Sequence, residues 1–165
     1  VNDRVDERYN VVRSTEAACA YLKDAHDRYG SWALAAASYN LGQGGLEKQL
    51  GRQKVTDYFD LLLPDETSRY VFRMLAMKAI ITDPERYGFH LREKDLYAPY
   101  FTDTVQVSGP VDDLNAFATR RGTNYKTLKL LNPWLRDNRL DNTKGKPYII
   151  LLPAKGFESA TADND

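Results

Sequence analysis

Three polar side chains, Ser38, Tyr39 and Asn40, directly follow a run of alanines, and Gly42 comes two residues later. Tyrosine offers a flat apolar ring and a hydroxyl group, and asparagine offers both a hydrogen-bond donor and an acceptor. Glycine lets the main chain approach a ligand closely or adopt a positive φ. Residues of these types, placed together, could contact a ligand in a cleft through hydrogen bonds and flat apolar contacts.

Each candidate also has a purely structural interpretation. Asn40 could cap the C-terminus of a helix, and Tyr70, further along the chain, could be a core tyrosine. A buried Ser38 hydroxyl would need an acceptor, because an unsatisfied one costs roughly 1–3 kcal/mol. The carbonyl of Leu34, one turn earlier, is the expected partner. The residues alone leave both interpretations open.

The sequence does not favour a nucleophilic serine or a cysteine-ligated metal site. Ser38 has no Gly-x-Ser-x-Gly setting, and His26 and His90, the two histidines, stand outside any triad context and are expected at the surface. Cys19 is the only cysteine, which excludes an intrachain disulfide and disfavours a cysteine-ligated metal. Its spacing predicts a small core residue on the buried face of a helix.

Composition limits the class of partner. The chain has 165 residues, which suits one ordinary domain, or one domain with a small appendage. Its 23 basic and 23 acidic residues cancel, and this balance argues against a nucleic-acid partner. No apolar run approaches the roughly 18 residues of a membrane span. A signal peptide is not recognisable at Val1, and composition does not settle the compartment.

Helical patterns fill residues 1–89, which predicts a compact all-α unit. Ser14 is the expected cap of the first helix, and the second helix, apolar all round, is expected to be surrounded by others. Gly42, Gly44 and Gly45 are expected to break it. The predicted helices cover residues 14–29, 31–40, 46–53 and 65–82.

The pattern changes after Phe89. Residues 90–103 are predicted to form a linker. Residues 104–153 are predicted to form a small module in which two strands can pair over two helices. A polar tail, 154–165, is predicted to be disordered. Within the module the strand and helix patterns cover 105–107, 113–121, 125–131 and 147–153.

The order of these features resembles lytic transglycosylases of the soluble-lytic-transglycosylase type. The resemblance rests on STEAACAYLKDAHDRYGSWALAAASYNLGQGG and on LLLPDETSRYVFRMLAMKAIITDPERYGF, which look like the later part of such a domain. LNAFATRRGTNYKTLKLLNPWL and the closing YIILLP resemble a degenerate LysM glycan-binding module. The fold class that follows is mainly α, a partial lysozyme-like helical domain followed by a small βααβ module.

The resemblance implies cleavage of the MurNAc–GlcNAc bond of peptidoglycan to 1,6-anhydro products, without metal or cofactor, in the cell envelope or periplasm. The family's Ala-Tyr-Asn motif appears here as Ser38-Tyr39-Asn40, and the tyrosine of its last motif falls on Tyr70. The implied substrate-binding residues are Ser38, Tyr39, Asn40, Gly42 and Tyr70. The implied glycan groove of the module is formed by Gly109, Asp112, Asn132 and Trp134. The alternative is a purely structural role, in which Trp134 fills the hydrophobic core of the module.

The family's general acid, a Glu followed by Ser, and its Gly-Leu-Met-Gln motif lie upstream of the matched segment, so no catalytic residue is expected in this chain. Glu158-Ser159 is interpreted as a coincidence in the polar tail. Glu16, Glu47 and Glu66 are not expected to replace the acid, because solvated carboxyls and a carboxyl at a helix N-terminus stay ionised.

The chain is therefore predicted to be the C-terminal part of a transglycosylase, trimmed or cloned short and inactive alone. Self-association is expected through a face that includes Trp32 and the alanine helix. The alternative is an adaptor that binds peptidoglycan without any chemistry, and a third reading is a helical scaffold with no glycan role.

Overall fold

A computed structural model describes residues 2–157 and divides them into two compact units. One unit is Thr15–Glu93, and the other joins the residues up to Ser14 with those from Lys94 onward. The predicted division at 1–89 and 104–153 instead placed the first residues with the helices. Glu158-Ser159 and the rest of the tail lie outside the described residues. Phe157, within the predicted tail, is buried.

Helices make up most of the first unit. Helix α1 starts with four residues that belong to the other unit. The helices are α1 (Val11–Tyr29), α2 (Trp32–Leu41), α3 (Gln43–Gln53) and α4 (Asp65–Thr82). The predicted bounds of α4 are confirmed, since Pro64 precedes it and Asp83-Pro84 follows it. Asn10 rather than Ser14 caps α1, because its Oδ1 accepts from the Arg13 amide at 3.1 Å.

Helix α2 lies at the centre of the unit. Ala35, Ala36, Ala37 and Ser38 are buried, as the apolar pattern predicted, and α2 packs against α3 and α4. Only Gly42 breaks the helix, with φ at +82°, whereas Gly44 and Gly45 lie inside α3. The other buried residues of this core are Leu34, Leu46, Tyr58, Leu61, Leu63 and Val71.

One predicted burial is wrong. Cys19 is exposed, because none of the described elements covers its side of α1. The apolar stripe of α4 is also exposed, with Met77 at 55% and Ile81 at 72%, and the helix buries only Thr67 and Val71. The face expected for self-association is corrected too. Trp32 is exposed and stacks on His26, but the alanines beside it are buried.

The second unit contains the predicted βααβ order. Its elements are β1 (Thr102–Val107), α5 (Leu114–Arg120), α6 (Tyr125–Leu131) and β2 (Tyr148–Pro153). The strands are antiparallel, with Thr102 opposite Pro153 and Val107 opposite Tyr148. None of the helices among residues 2–157 combines the length and apolarity that a membrane span requires.

Asn132 joins α6 to β2 from a fully buried position. Its Nδ2 donates to the carbonyls of Leu128 at 2.9 Å and Leu151 at 2.7 Å. The Leu151 amide donates back to Oδ1 at 2.8 Å. One side chain thus satisfies both backbone groups of Leu151, as a neighbouring strand would.

Candidate functional site

The buried hydroxyl at the end of α2 is fully satisfied. Ser38 Oγ donates to the carbonyl of Ala35 at 2.7 Å, and so the acceptor lies three residues back rather than at Leu34. The carbonyl of Ser38 accepts from the Tyr21 hydroxyl at 2.8 Å. Ser38 therefore fixes the last turn of α2 and has no surface for a ligand of its own.

Tyr39 is the exposed member of the polar trio, with 46% of its surface accessible. Its ring meets the Tyr21 ring edge-on, with centroids 5.4 Å apart and planes at 78°. Tyr21 is itself anchored by its bond to Ser38. Tyr39 thus presents an aromatic surface whose orientation is set by packing.

Asn40 links the end of α2 to α4 and does not cap its own helix. Its Oδ1 accepts from Thr67 Oγ1 at 2.9 Å. The C-cap position is taken by Gly42, whose amide donates to the Ser38 carbonyl at 2.8 Å. Among residues 2–157 the Asn40 Nδ2 has no hydrogen-bond partner, and it is therefore available to a carbonyl acceptor.

Thr67 is a candidate site residue that the sequence motifs did not indicate. It is buried in the first turn of α4, and Tyr70 lies one turn further on the same face of that helix. Tyr58 holds this turn in place by donating its hydroxyl to the Ser68 carbonyl at 2.8 Å. The sequence places Thr67 three residues before Tyr70, in a Glu-Thr-x-x-Tyr pattern, but this pattern does not reveal that Thr67 has a hydrogen-bond partner in α2.

The acids of this unit are paired or exposed. Glu66, 63% exposed, bonds to Arg73 at 2.6 Å, and Glu16 is exposed on α1. Glu47 bonds to Arg28 at 2.5 Å and accepts from the Tyr29 hydroxyl at 3.2 Å. None of these three carboxyls sits in a dry, apolar pocket of the kind that keeps an acid protonated.

Comparisons with known proteins match both parts of the chain. Residues 1–61 match the transglycosylase SLT domain, and residues 103–156 match the soluble lytic transglycosylase C-terminal LysM-like domain. The predicted resemblance is confirmed.

Two curated relatives extend this result across the chain. Each is named membrane-bound lytic murein transglycosylase D, one from Escherichia coli K12 and one from Escherichia coli O6:H1. Both are 32% identical over 155 residues, which is 91% of this chain and 33% of the relative. The chain therefore spans about a third of the length of these relatives.

In the LysM-like module, the predicted groove residues separate into two sets. Asp112 is exposed and Gly109 partly exposed, and Asp112 borders a shallow cavity with Phe117 and Arg120. Asn132 and Trp134 are buried, and the Trp134 ring stacks on Tyr148 with centroids 5.4 Å apart. These two lie in the core, where the alternative interpretation placed Trp134.

Proposed function

We propose that this chain is the peptidoglycan-binding portion of a lytic murein transglycosylase of the bacterial envelope or periplasm. The observation that carries the proposal is the Asn40–Thr67 hydrogen bond, which fixes an amide at the end of α2 beside an exposed tyrosine. The matches to the SLT and LysM-like domains support it.

The geometry suits a neutral glycan. Because Thr67 occupies the Asn40 carbonyl oxygen, the amide NH₂ group is left to donate, and an N-acetyl carbonyl of the glycan would accept that bond. The Tyr39 ring gives a sugar face a flat apolar contact, and Tyr70 adds a second ring along α4. Gly42 lets the main chain pass close by.

In the whole protein, a general acid outside these residues would protonate the leaving oxygen and yield the 1,6-anhydro product. General acid catalysis contributes typically ~10²–10⁴-fold. Because none of Glu16, Glu47 and Glu66 lies in a dry, apolar pocket, we propose that this chain binds peptidoglycan without turnover. A non-catalytic adaptor remains the alternative, and reading the full open reading frame for an upstream Glu-Ser would decide between them.

For the LysM-like module we propose glycan contact through the exposed loop that contains Gly109 and Asp112. Asn132 and Trp134 would support that surface from the core. Titration of the chain with chitin oligomers, comparing Asp112→Ala with the unmodified chain, tests this assignment.

Tyr39→Ala should weaken sedimentation with purified, insoluble peptidoglycan by about fivefold, because an aromatic contact contributes ~1 kcal/mol. The measurement is the chain's dissociation constant in a pelleting assay. Tyr87→Ala is the matched control, since Tyr87 has the same 46% exposure in the same unit.

Equal losses in the two variants would show non-specific adhesion and contradict the assigned site. The supernatants of the same assay report on chemistry. Anhydro-muropeptides released by the unmodified chain would contradict its predicted inactivity, whereas retention in the pellet without release supports the proposal.

We further propose that two copies associate through the apolar face of α4, where Met74, Met77 and Ile81 lie on one side of the helix and are all exposed. Ile81→Lys should abolish a dimer that light scattering detects at high concentration. Leu62→Lys, at a position 77% exposed in the same unit, should leave it intact. A monomeric unmodified chain at every concentration would contradict this proposal.

A further inference from the structure

The first residues of the chain lie along the loop that follows α6. The Asp6 amide donates to the Trp134 carbonyl at 2.9 Å, and the Arg136 amide donates to the Arg4 carbonyl at 2.7 Å. These two bonds form an antiparallel bridge between Val5 and Leu135. Val5 is 3% exposed, and it belongs to the module's hydrophobic core.

Charged side chains flank the buried valine on both sides. Arg4 forms ion pairs with Asp137, at 3.0 Å, and with Asp141. Glu7 bonds to Lys146 at 2.7 Å, across 139 positions of the chain.

An aromatic contact follows, in which the Arg136 guanidinium lies 4.3 Å from the centre of the Tyr9 ring. The segment 2–9 therefore contacts the module through a backbone bridge, an apolar anchor and charges placed before and after that anchor.

The receiving loop, residues 134–137, is shaped by the module itself. Lys129 Nζ donates to the carbonyls of Leu135 and Asp137, the latter at 3.0 Å. Trp134 is fixed by its stacking on Tyr148. Within the described chain, Val5 is the one member of this buried core that precedes residue 111. The segment itself contains one turn of 3₁₀ helix, Glu7–Tyr9, and the longer helices and the strands of this unit lie outside it.

We propose that residues 2–9 form a latch on the LysM-like module, a segment that opens from loop 134–137 while the module stays folded. The surface it covers fits an extended segment with an apolar residue between an arginine and a carboxylate. This inference does not depend on glycan binding. Through the latch, residues in the range matched to the SLT domain contact residues in the range matched to the LysM-like domain.

Amide hydrogen exchange of the full chain tests the latch. The reporters are the Asp6 and Arg136 amides for the segment, and the Leu140 amide, which donates to the Val111 carbonyl at 2.8 Å, for the module. In the unmodified chain the first two should be protected, but less strongly than Leu140. Unprotected Asp6 and Arg136 amides would overturn the proposal, and so would protection equal to that of Leu140.

Val5→Ala should speed exchange at Asp6 and Arg136 about tenfold, because it removes most of the buried apolar anchor. Arg4→Ala should speed it about fivefold by removing two ion pairs. Leu140 should be unchanged in both variants. The matched control is Val12→Ala, at a position that is 65% exposed, and it should change none of the three amides. Equal acceleration of all three amides by Arg4→Ala would overturn the latch, since the segment would then be part of the core.

Acid should open the latch. Lys146, with Arg13 nearby, lowers the pKa of Glu7, and the Glu7–Lys146 pair joins the segment to the module. The Arg8 guanidinium lowers the pKa of Asp6 from 3.8 to about 2, but this pair lies within the segment and does not depend on the closed latch. Groups with depressed pKa values stabilise the folded contact above their ordinary pKa and lose that effect as the pH falls through the folded value.

The Asp6 to Leu140 protection ratio should therefore fall as the pH drops below the ordinary glutamate pKa of 4.5. The acidic partners of Arg4, Asp137 and Asp141, also face this segment. A protection ratio that stays constant below about pH 4.5 would contradict an electrostatic contribution to the latch.

Discussion

Asn132→Ala should destabilise the LysM-like module by about 3 kcal/mol, because it strips hydrogen-bond partners from Leu151 and Leu128. The side chain is fully buried, and it makes all three of its bonds to backbone groups. Urea unfolding, followed by the fluorescence of Trp134 in a Trp32→Phe background, measures the loss as a change in the free energy of unfolding.

Asn138→Ala is the control for this substitution. Asn138 is exposed, and its side chain makes no hydrogen bond with residues 2–157. It should change the free energy of unfolding by less than about 0.5 kcal/mol. A similar loss in the two variants would contradict the bridging role given to Asn132.

Ala37→Leu should destabilise the helical unit by about 3 kcal/mol, because inserting three heavy atoms into a packed core forces its neighbours apart. Ala37 is fully buried in α2, against the core that includes Leu46 and Val71. The measurement is urea unfolding followed by far-ultraviolet circular dichroism. The same change should displace Asn40 from Thr67 and weaken the proposed binding of peptidoglycan.

Ala76→Leu provides the comparison, since Ala76 is exposed on α4 and leucine is a good helix former. It should leave both stability and binding close to those of the unmodified chain. If Ala37→Leu proved as harmless as Ala76→Leu, the close packing inferred for α2 would be wrong.

Local signals predicted the elements well where they were strong. The proline before α4 and the Asp83-Pro84 pair after it set both ends of that helix, and the order of strands and helices in the module followed from bounded patterns. The cap of α1 was misplaced by four residues because Asn10 and Ser14 are both competent caps. Only the bond from the Arg13 amide to Asn10 distinguishes them.

Burial was harder to predict than secondary structure. Helical spacing put Cys19 and the stripe of α4 on apolar faces, but spacing does not reveal whether another element covers the face. The candidate site shows the same limit. The motif supplied Tyr39 and Asn40, whereas the partner of Asn40 lies 27 residues away in sequence and depends on how α2 and α4 pack.

The position of Asn132 also bears on the solubility of the two-stranded sheet. A short sheet with free outer edges can recruit strands from other molecules and grow into aggregates. At Leu151 that growth is blocked, because an internal amide already occupies both main-chain groups. The Asn132 side chain therefore prevents a strand of another molecule from pairing with β2 at Leu151.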